Sequence, residues 1–218
     1  MHVGILGGTG PAGRALGARL ASVGVDVVIG SRSTERAASI CDDLRKRWSD
    51  RPLTIDAAGN PDAARADLVV VATPWDAAAA TTSSVAGDLA GKVVVSMGNA
   101  LVKQDDELVA VVPELGSVAA GVQQAAPDAL VSAAFHHVPA RSLADLDNPI
   151  DGDVLVCSDH EFAFEATAEL VRMIPGMRAL HGGSLASAGP VEAFTAVLLG
   201  VNRRYKARAV VRLTGIPE

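Results

Sequence analysis

A chain of 218 residues that is 49% hydrophobic and 20% charged has the balance of a folded globular protein, which excludes a disordered segment. Its net charge of −6 argues against nucleic acid as the main partner, and no uninterrupted apolar run approaches the ~18–20 residues that span a bilayer. Two cysteines, Cys41 and Cys157, lie far apart without CxxC or metal-ligand spacing; with no signal peptide, the expected compartment is the reducing cytoplasm.

Aromatics are only 3%, so Val, Leu, Ile and Ala must build the core, a mix that suits parallel strands buried on both faces. His2–Leu6 reads as a strand, Pro11–Val23 as a helix, Asp26–Gly30 as a strand and Thr34–Lys46 as a helix. Leu53–Ala57 is a weaker strand. Leu68–Thr73 is a fully apolar one that stops at Pro74, and Trp75–Leu89 carries the next helix. Lys92–Ser96 and Leu130–Phe135 are further strands, with helical stretches around Asp105–Val112 and Val118–Ala125 between them. Strand and helix alternating at this spacing predicts an α/β fold, a Rossmann-type doubly wound parallel sheet.

The pattern changes near Asp151. Asp153–Cys157 and Met177–Leu180 can extend the sheet around a helix over Glu161–Met173, and a long final helix is expected over Ala188–Leu213. That helix carries Val191, Phe194, Thr195, Leu198 and Val201 at helical spacing. The expected division is a dinucleotide-binding domain over residues 1–150 and a smaller, mainly helical domain over residues 151–218.

Gly8-Thr9-Gly10-Pro11-Ala12-Gly13 follows the first strand and opens the first helix, the context that makes a GxGxxG run informative. Gly8 permits the tight turn, Gly10 lets the backbone approach a pyrophosphate, and Gly13 lets helix pack on strand. The first free amides and the positive end of the helix dipole then face the phosphates of a nicotinamide cofactor. Pro11 is harmless there because a first-turn amide has no intrahelical partner.

The second strand selects between cofactors. It ends in Gly30-Ser31-Arg32-Ser33 without the carboxylate that would hold a ribose 2′-hydroxyl, and Arg36 lies one turn on. Guanidinium and hydroxyl donors suit a 2′-phosphate, so NADP(H) is the expected cofactor. Ser31 or Ser33 can also cap the next helix, and capping and phosphate binding can coexist.

Other strand ends should line the same crevice: Thr73-Pro74-Trp75, Ser96-Met97-Gly98-Asn99 and His136-His137-Val138-Pro139. Adjacent histidines on a strand point to opposite faces, and His2, His160 and His181 have no ligand spacing, so no metal is expected. Whether His136 or His137 is an acid–base group or a packing residue stays open. No nucleophile elbow and no lysine base motif is present, which favours hydride transfer between stacked rings over reduction with a dedicated proton donor.

These residues, with Val131-Ser132-Ala133-Ala134-Phe135-His136-His137-Val138-Pro139-Ala140-Arg141 and Val191-Glu192-Ala193-Phe194-Thr195, resemble the family of NADPH-dependent coenzyme F420 reductases (F420:NADP oxidoreductases) through nearly the whole chain. The His-x-Val-Pro-Ala segment and the Val-Glu-x-x-Thr helix are the more specific motifs. The resemblance implies NADP(H) on the Rossmann domain and the 8-hydroxy-5-deazaflavin coenzyme F420 in a cleft under the C-terminal domain. Hydride would pass between nicotinamide C4 and deazaflavin C5. By motif, His136, Val138 and Pro139, with Ala140 following, lie near the stacked rings and Thr195 faces them. Where some members carry an arginine this chain has Gly189-Pro190, leaving Arg203, Arg204 and Lys206 as candidates for the anionic coenzyme tail. The resemblance also implies a homodimer joined through the C-terminal helices, with no nucleic-acid or membrane partner. An NADPH-dependent imine or ketoacid reductase and a non-catalytic NADP(H) sensor are the competing readings.

Overall fold

The apolar runs become strands of one sheet because their side chains are covered on both faces. The computed structural model describes residues 1–216. In chain order it comprises β1 (His2–Leu6), α1 (Pro11–Ser22), β2 (Asp26–Ser31), α2 (Thr34–Arg47), β3 (Ile55–Gly59), α3 (Asn60–Ala63), β4 (Leu68–Val71), α4 (Trp75–Ser83), α5 (Ala86–Leu89) and β5 (Val93–Ser96). There follow β6 (Leu101–Gln104), β7 (Glu107–Ala110), α6 (Val118–Ala125), β8 (Leu130–Ala133), α7 (Ala140–Leu143), β9 (Gly152–Ser158), α8 (Glu161–Arg172), β10 (Met177–Gly183), a 3₁₀ turn at Leu185–Ser187 and α9 (Ala188–Tyr205).

The eight-stranded sheet has the order β10-β9-β8-β5-β4-β1-β2-β3. From β3 to β8 all neighbours are parallel. Val3, Ile5, Val70 and Val95 pack with α1, α2 and α8 on one face, while Leu6, Val69, Val71 and Val94 pack with α4 and α6 on the other. The doubly wound α/β fold is therefore as expected, and its winding reverses between β1 and β4, where such sheets open a crevice at their carboxyl ends.

The outer strands run the other way. β9 pairs antiparallel with β8 only through Ser132↔Ser158 and Ala133↔Cys157, so Gly152–Val156 extends past the carboxyl end of β8. β10 lies parallel to β9. Together they raise a wall beside the crevice. The tail after α9 is fastened to this wall by Asp153. Its N–H donates to Val211 O at 2.7 Å, and its carboxylate accepts from Leu213 N–H at 2.6 Å and from the Arg178 guanidinium at 2.7 and 3.0 Å. Those donors, Arg178 first, hold the Asp153 carboxyl below the usual carboxylate range.

Three elements differ from expectation, the first being the helix over Trp75–Leu89, which breaks into α4 and α5. The stretch around Asp105–Val112 is not helical: β6 and β7 form a separate antiparallel hairpin whose turn contains Asp105 at φ 51°. Asp tolerates the left-handed backbone that the two-residue Asp105-Asp106 turn requires, and Val102 pairs with Val109 across the two strands. The last helix ends at Tyr205, not Leu213, because Lys206 takes the left-handed conformation (φ 51°, ψ 39°) and closes it. Leu185–Tyr205 is also long and apolar enough by length and composition to cross a membrane, although charged and polar residues such as Glu192 and Asn202 interrupt it.

Candidate functional site

The glycine loop divides its work among its glycines in a way the sequence only partly shows. The left-handed residue is Gly7 (φ 66°), where a Cβ would fall 2.4 Å from Thr73 Cγ2; the turn therefore rests on Gly7 and not on Gly8. Gly8 is pressed on β1, its N–H donating to Ile5 O and Gly30 O and its Cβ position only 2.9 Å from Ile5 O. Gly13 packs on Gly8 and Ala72, with a Cβ position 2.8 Å from Gly8 Cα. Gly10 is different. The nearest atoms to its Cβ position are 3.7 and 3.9 Å away, so nothing in the protein demands a glycine there. It is the N-cap of α1, which has Pro11 in its first turn, no side-chain cap and no acidic residue there. An uncapped helix start beside an open glycine leaves free amides and a positive dipole end that suit an anion.

Asn60 is a contributor that sequence reading missed. Its Oδ1 accepts the Gly7 N–H at 3.2 Å, and α3 presses so closely on β1 that Gly4 would place a Cβ 1.9 Å from Ala63 O. No sequence signal marks Asn60 beyond the proline that follows it.

At the end of β2, Ser31 is buried while Arg32 and Arg36 are exposed. Ser33 caps α2, accepting from Arg36 N–H at 3.2 Å and donating to Glu35 at 2.8 Å; Ser31 Oγ accepts from Ser33 N–H. The Ser33 hydroxyl keeps the Glu35 carboxyl below its usual range. Ser31, Arg32, Ser33 and Arg36 are thus brought to one helix N-terminus next to the glycine loop, along with Glu35.

The other strand ends converge. Asn99 Nδ2 donates to His136 O at 2.9 Å, and the Thr195 hydroxyl, from α9, donates to the same carbonyl at 3.2 Å. Trp75 Nε1 donates to Leu101 O at the start of β6. Met97 and Val138 are buried, Pro139 and Ala140 half-buried. Gly98 presses on α6, its Cβ position 2.7 Å from Val118 Cγ1. Gly189 presses likewise on Gly116 O (2.3 Å), so this position leaves no room for a side chain.

Buried polar atoms without a protein partner, among the described residues, are Thr73 Oγ1, Ser96 Oγ, Asn99 Oδ1 and both ring nitrogens of His136. They belong to the ends of β4, β5 and β8, which are neighbours in the sheet. Such groups cost about 1–3 kcal/mol each when unmet, so their concentration at one edge fits a polar planar ligand that would satisfy them.

The two histidines separate. His137 turns to the wall, its Nε2 accepting Leu155 N–H at 3.1 Å, and burial lowers it to about 4. Burial and then the neighbouring His137 lower His136 to about 3, the Ala134 carbonyl pulling weakly the other way. Both rings are neutral at physiological pH. The unfolded chain takes up a proton on His136 near 6.5 and the folded chain only near 3, so its contribution to stability is complete above 6.5 and lost as pH falls towards 3. The stability gap between wild type and His136→Gln should therefore shrink from pH 7 to pH 4.5 in urea titrations; equal gaps would contradict the neutral burial.

A groove of about 610 Å³ lies between α1, α2 and α7, lined in part by Pro11 and Ala140. Three of its lining charges are paired within the protein, Arg208 with Asp145 at 3.0 Å and Asp147 with Arg51. It lacks the convergence of unmet polar atoms seen at the strand ends. Among the described residues no cluster of His, Cys, Asp and Glu could hold a metal ion.

The family model described as NADP oxidoreductase, coenzyme F420-dependent, matches residues 2–100, a stretch running from the glycine loop through Asn99. An F420-dependent NADP reductase of Methanocaldococcus jannaschii is 36% identical over 222 residues, covering 99% of both chains. That of Methanothermobacter thermautotrophicus is 33% identical over 228 residues, covering 100% of this chain and 97% of its own. A crystal structure from Arthrobacter sp. FB24, provisionally named an F420-dependent NADP reductase, shares the fold with a TM-score of 0.83 at 23% identity, over 97% of this chain and 98% of the other. With two full-length relatives above 30% identity, the chain belongs to the F420-dependent NADP reductase family.

Proposed function

We propose that the protein transfers hydride reversibly between NADP(H) and the deazaflavin coenzyme F420, the two rings stacked over the ends of β4, β5 and β8 beneath α9. The observation that carries this is the row of unmet polar atoms on Thr73, Ser96, Asn99 and His136, set beside an uncapped glycine-loop helix. NADPH, when bound, supplies the hydride from its nicotinamide C4. The chain's own groups bind and orient. Thr9 through Gly13 take the pyrophosphate, and Ser31, Arg32, Ser33 and Arg36 take the 2′-phosphate. Thr73, Pro74, Trp75, Met97, Gly98 and Asn99 line the nicotinamide side, and His136, Val138, Pro139, Ala140 and Thr195 the deazaflavin side.

His136 is neutral, so it offers hydrogen bonds without storing the proton that accompanies reduction of the deazaflavin. His137, engaged with Leu155, supports the segment from behind. Proximity and orientation then supply the rate. Mixing the protein with NADPH and oxidised F420 should bleach the visible absorbance of the deazaflavin; absorbance that persists would overturn the reading. Arg32→Glu should raise the Kd for NADPH about 10–100-fold, because charge-assisted phosphate contacts are worth roughly 1.5–3 kcal/mol. NADH should change little in the same fluorescence titration.

Residues 151–218 serve on this reading as the part that completes the coenzyme cleft. The outward face of α9 exposes Phe194, Val197, Leu199, Val201 and Tyr205, an apolar stripe suited to a second copy of the chain in the cytoplasm. Its inner face carries the buried, hydrogen-bonded Glu192, which favours packing on protein over lipid. Sedimentation equilibrium should give twice the chain mass, and a single-chain mass would remove the dimer.

A further inference from the structure

Glu192 lies between the residues to which the activity gives a task. It is only 3% exposed. Its carboxylate accepts from Val118 N–H at 2.8 Å and Ala119 N–H at 3.1 Å, the first two residues of α6. Ser117 caps the same helix end by accepting from Ala120 N–H at 2.9 Å. The free donors of α6 are thus shared between its own cap and a carboxylate sent from another helix, whose charge suits the dipole there. Burial pushes the Glu192 carboxyl up to about 7 while the two amides pull it down. The ionisable group facing it is Cys157 on β9, whose buried thiol is itself raised to about 11.

One helical turn further along α9, Thr195 donates to His136 O, the carbonyl that Asn99 also holds. At the start of the helix, Gly189 lies against Gly116. The helix is therefore fastened to α6 by a carboxylate and to the β8 strand end by a hydroxyl, one turn apart. Ser117 keeps α6 capped whether or not Glu192 is present.

We propose that Glu192 is a positioning residue for hydride transfer: its carboxylate seats α9 on α6 and so sets the height of Thr195 above the strand ends that receive the deazaflavin. This rests on the function proposed above. A misplacement of 1 Å at a reacting pair costs on the order of 100-fold in rate. The pyrophosphate and 2′-phosphate contacts proposed for NADPH lie on β1, α1, β2 and α2 and not on α6 or α9. Affinity for NADPH should therefore change little, even though Gly98 on the nicotinamide side meets Val118.

Two variants approach the contact from opposite sides. Glu192→Gln keeps size and one accepting oxygen but turns an NH₂ towards the other of the two amide donors. Val118→Pro removes one of those donors at the first helical position, where proline is accepted, and Ser117 before it is already extended (φ −155°, ψ 159°). In single-turnover mixing with saturating NADPH, each should slow bleaching of F420 about 10–100-fold and raise the KM for F420. The Kd for NADPH should stay within about twofold, and the double variant should be little worse than the slower single one, as for groups sharing one contact.

Wild-type rates in either folded variant, or losses in NADPH affinity that parallel the losses in rate, would overturn the proposal. Failure of both variants to fold would make Glu192 a residue of the fold and overturn it equally. The wild-type protein is run alongside, so failure of the activity itself is read separately.

Discussion

Gly10→Ala is expected to raise the Kd for NADPH about 100-fold, near 2.7 kcal/mol, while leaving the protein at least as stable as wild type. The two halves of this result come from one observation. The Gly10 Cβ position has no protein atom closer than 3.7 Å, and its backbone angles (φ −70°, ψ 164°) suit any residue. An added methyl group should therefore stabilise the fold by about 0.4–1 kcal/mol through the unfolded state. The same methyl group would stand where the pyrophosphate must approach the uncapped amides of α1. Gly13→Ala offers the contrast, because its Cβ position lies 2.8 Å from Gly8 Cα and the fold itself should suffer. Cofactor fluorescence titration and urea unfolding on the same samples check both halves. Unchanged NADPH affinity in Gly10→Ala would take the pyrophosphate away from this loop.

Arg19→Met is expected to cost about 3–5 kcal/mol of stability, because it leaves several carbonyls without their donor at about 1–3 kcal/mol each. Arg19 is 2% exposed in the middle of α1. Its guanidinium donates to the carbonyls of Leu143 (3.2 Å), Asn148 (3.1 Å), Ser142 (2.9 Å) and Asp145. These carbonyls close α7 and the turn after it, so the residue anchors the segment that begins at His136. Burial pulls the guanidinium below its ordinary value, and Asp145 chiefly offsets this. Arg19→Lys should recover only part of the loss, since an ammonium lacks the planar fork that reaches several carbonyls at once. A shift in the urea midpoint at unchanged slope is the measurement, and a Met variant within about 1 kcal/mol of wild type would show that water can take over these carbonyls.

The amphipathic pattern around Arg19 reads as an ordinary helix, and nothing local says that its charge turns inward. The same holds for Asn60 beneath Gly7, for Asp153 at the foot of the tail and for Glu192 between two helices. Each is a polar side chain whose partners are 25 to 129 residues away in the chain, as the contacts Asp153–Arg178 and Arg19–Asn148 span. Such partners are chosen by packing, which leaves no periodic mark. By contrast, the hairpin at Leu101–Ala110 carries a local signal, the Asp105-Asp106 pair at its turn, which runs against the helix expected there in a βαβ alternation.

By itself, the sequence determined the alternation of buried strands and covering helices, because hydrophobic periodicity and the Gly and Pro positions act within a few residues. It also placed a glycine loop after the first strand and a carboxylate-free end on the second. Tertiary structure alone decided that the last two sheet strands run in reverse and rise past β8, and that His137 faces this wall while His136 does not. It alone fastened α9 to α6 through Glu192. Those outcomes depend on which distant surfaces can be dried together with every buried donor met, and that condition is fixed only when the whole chain is packed.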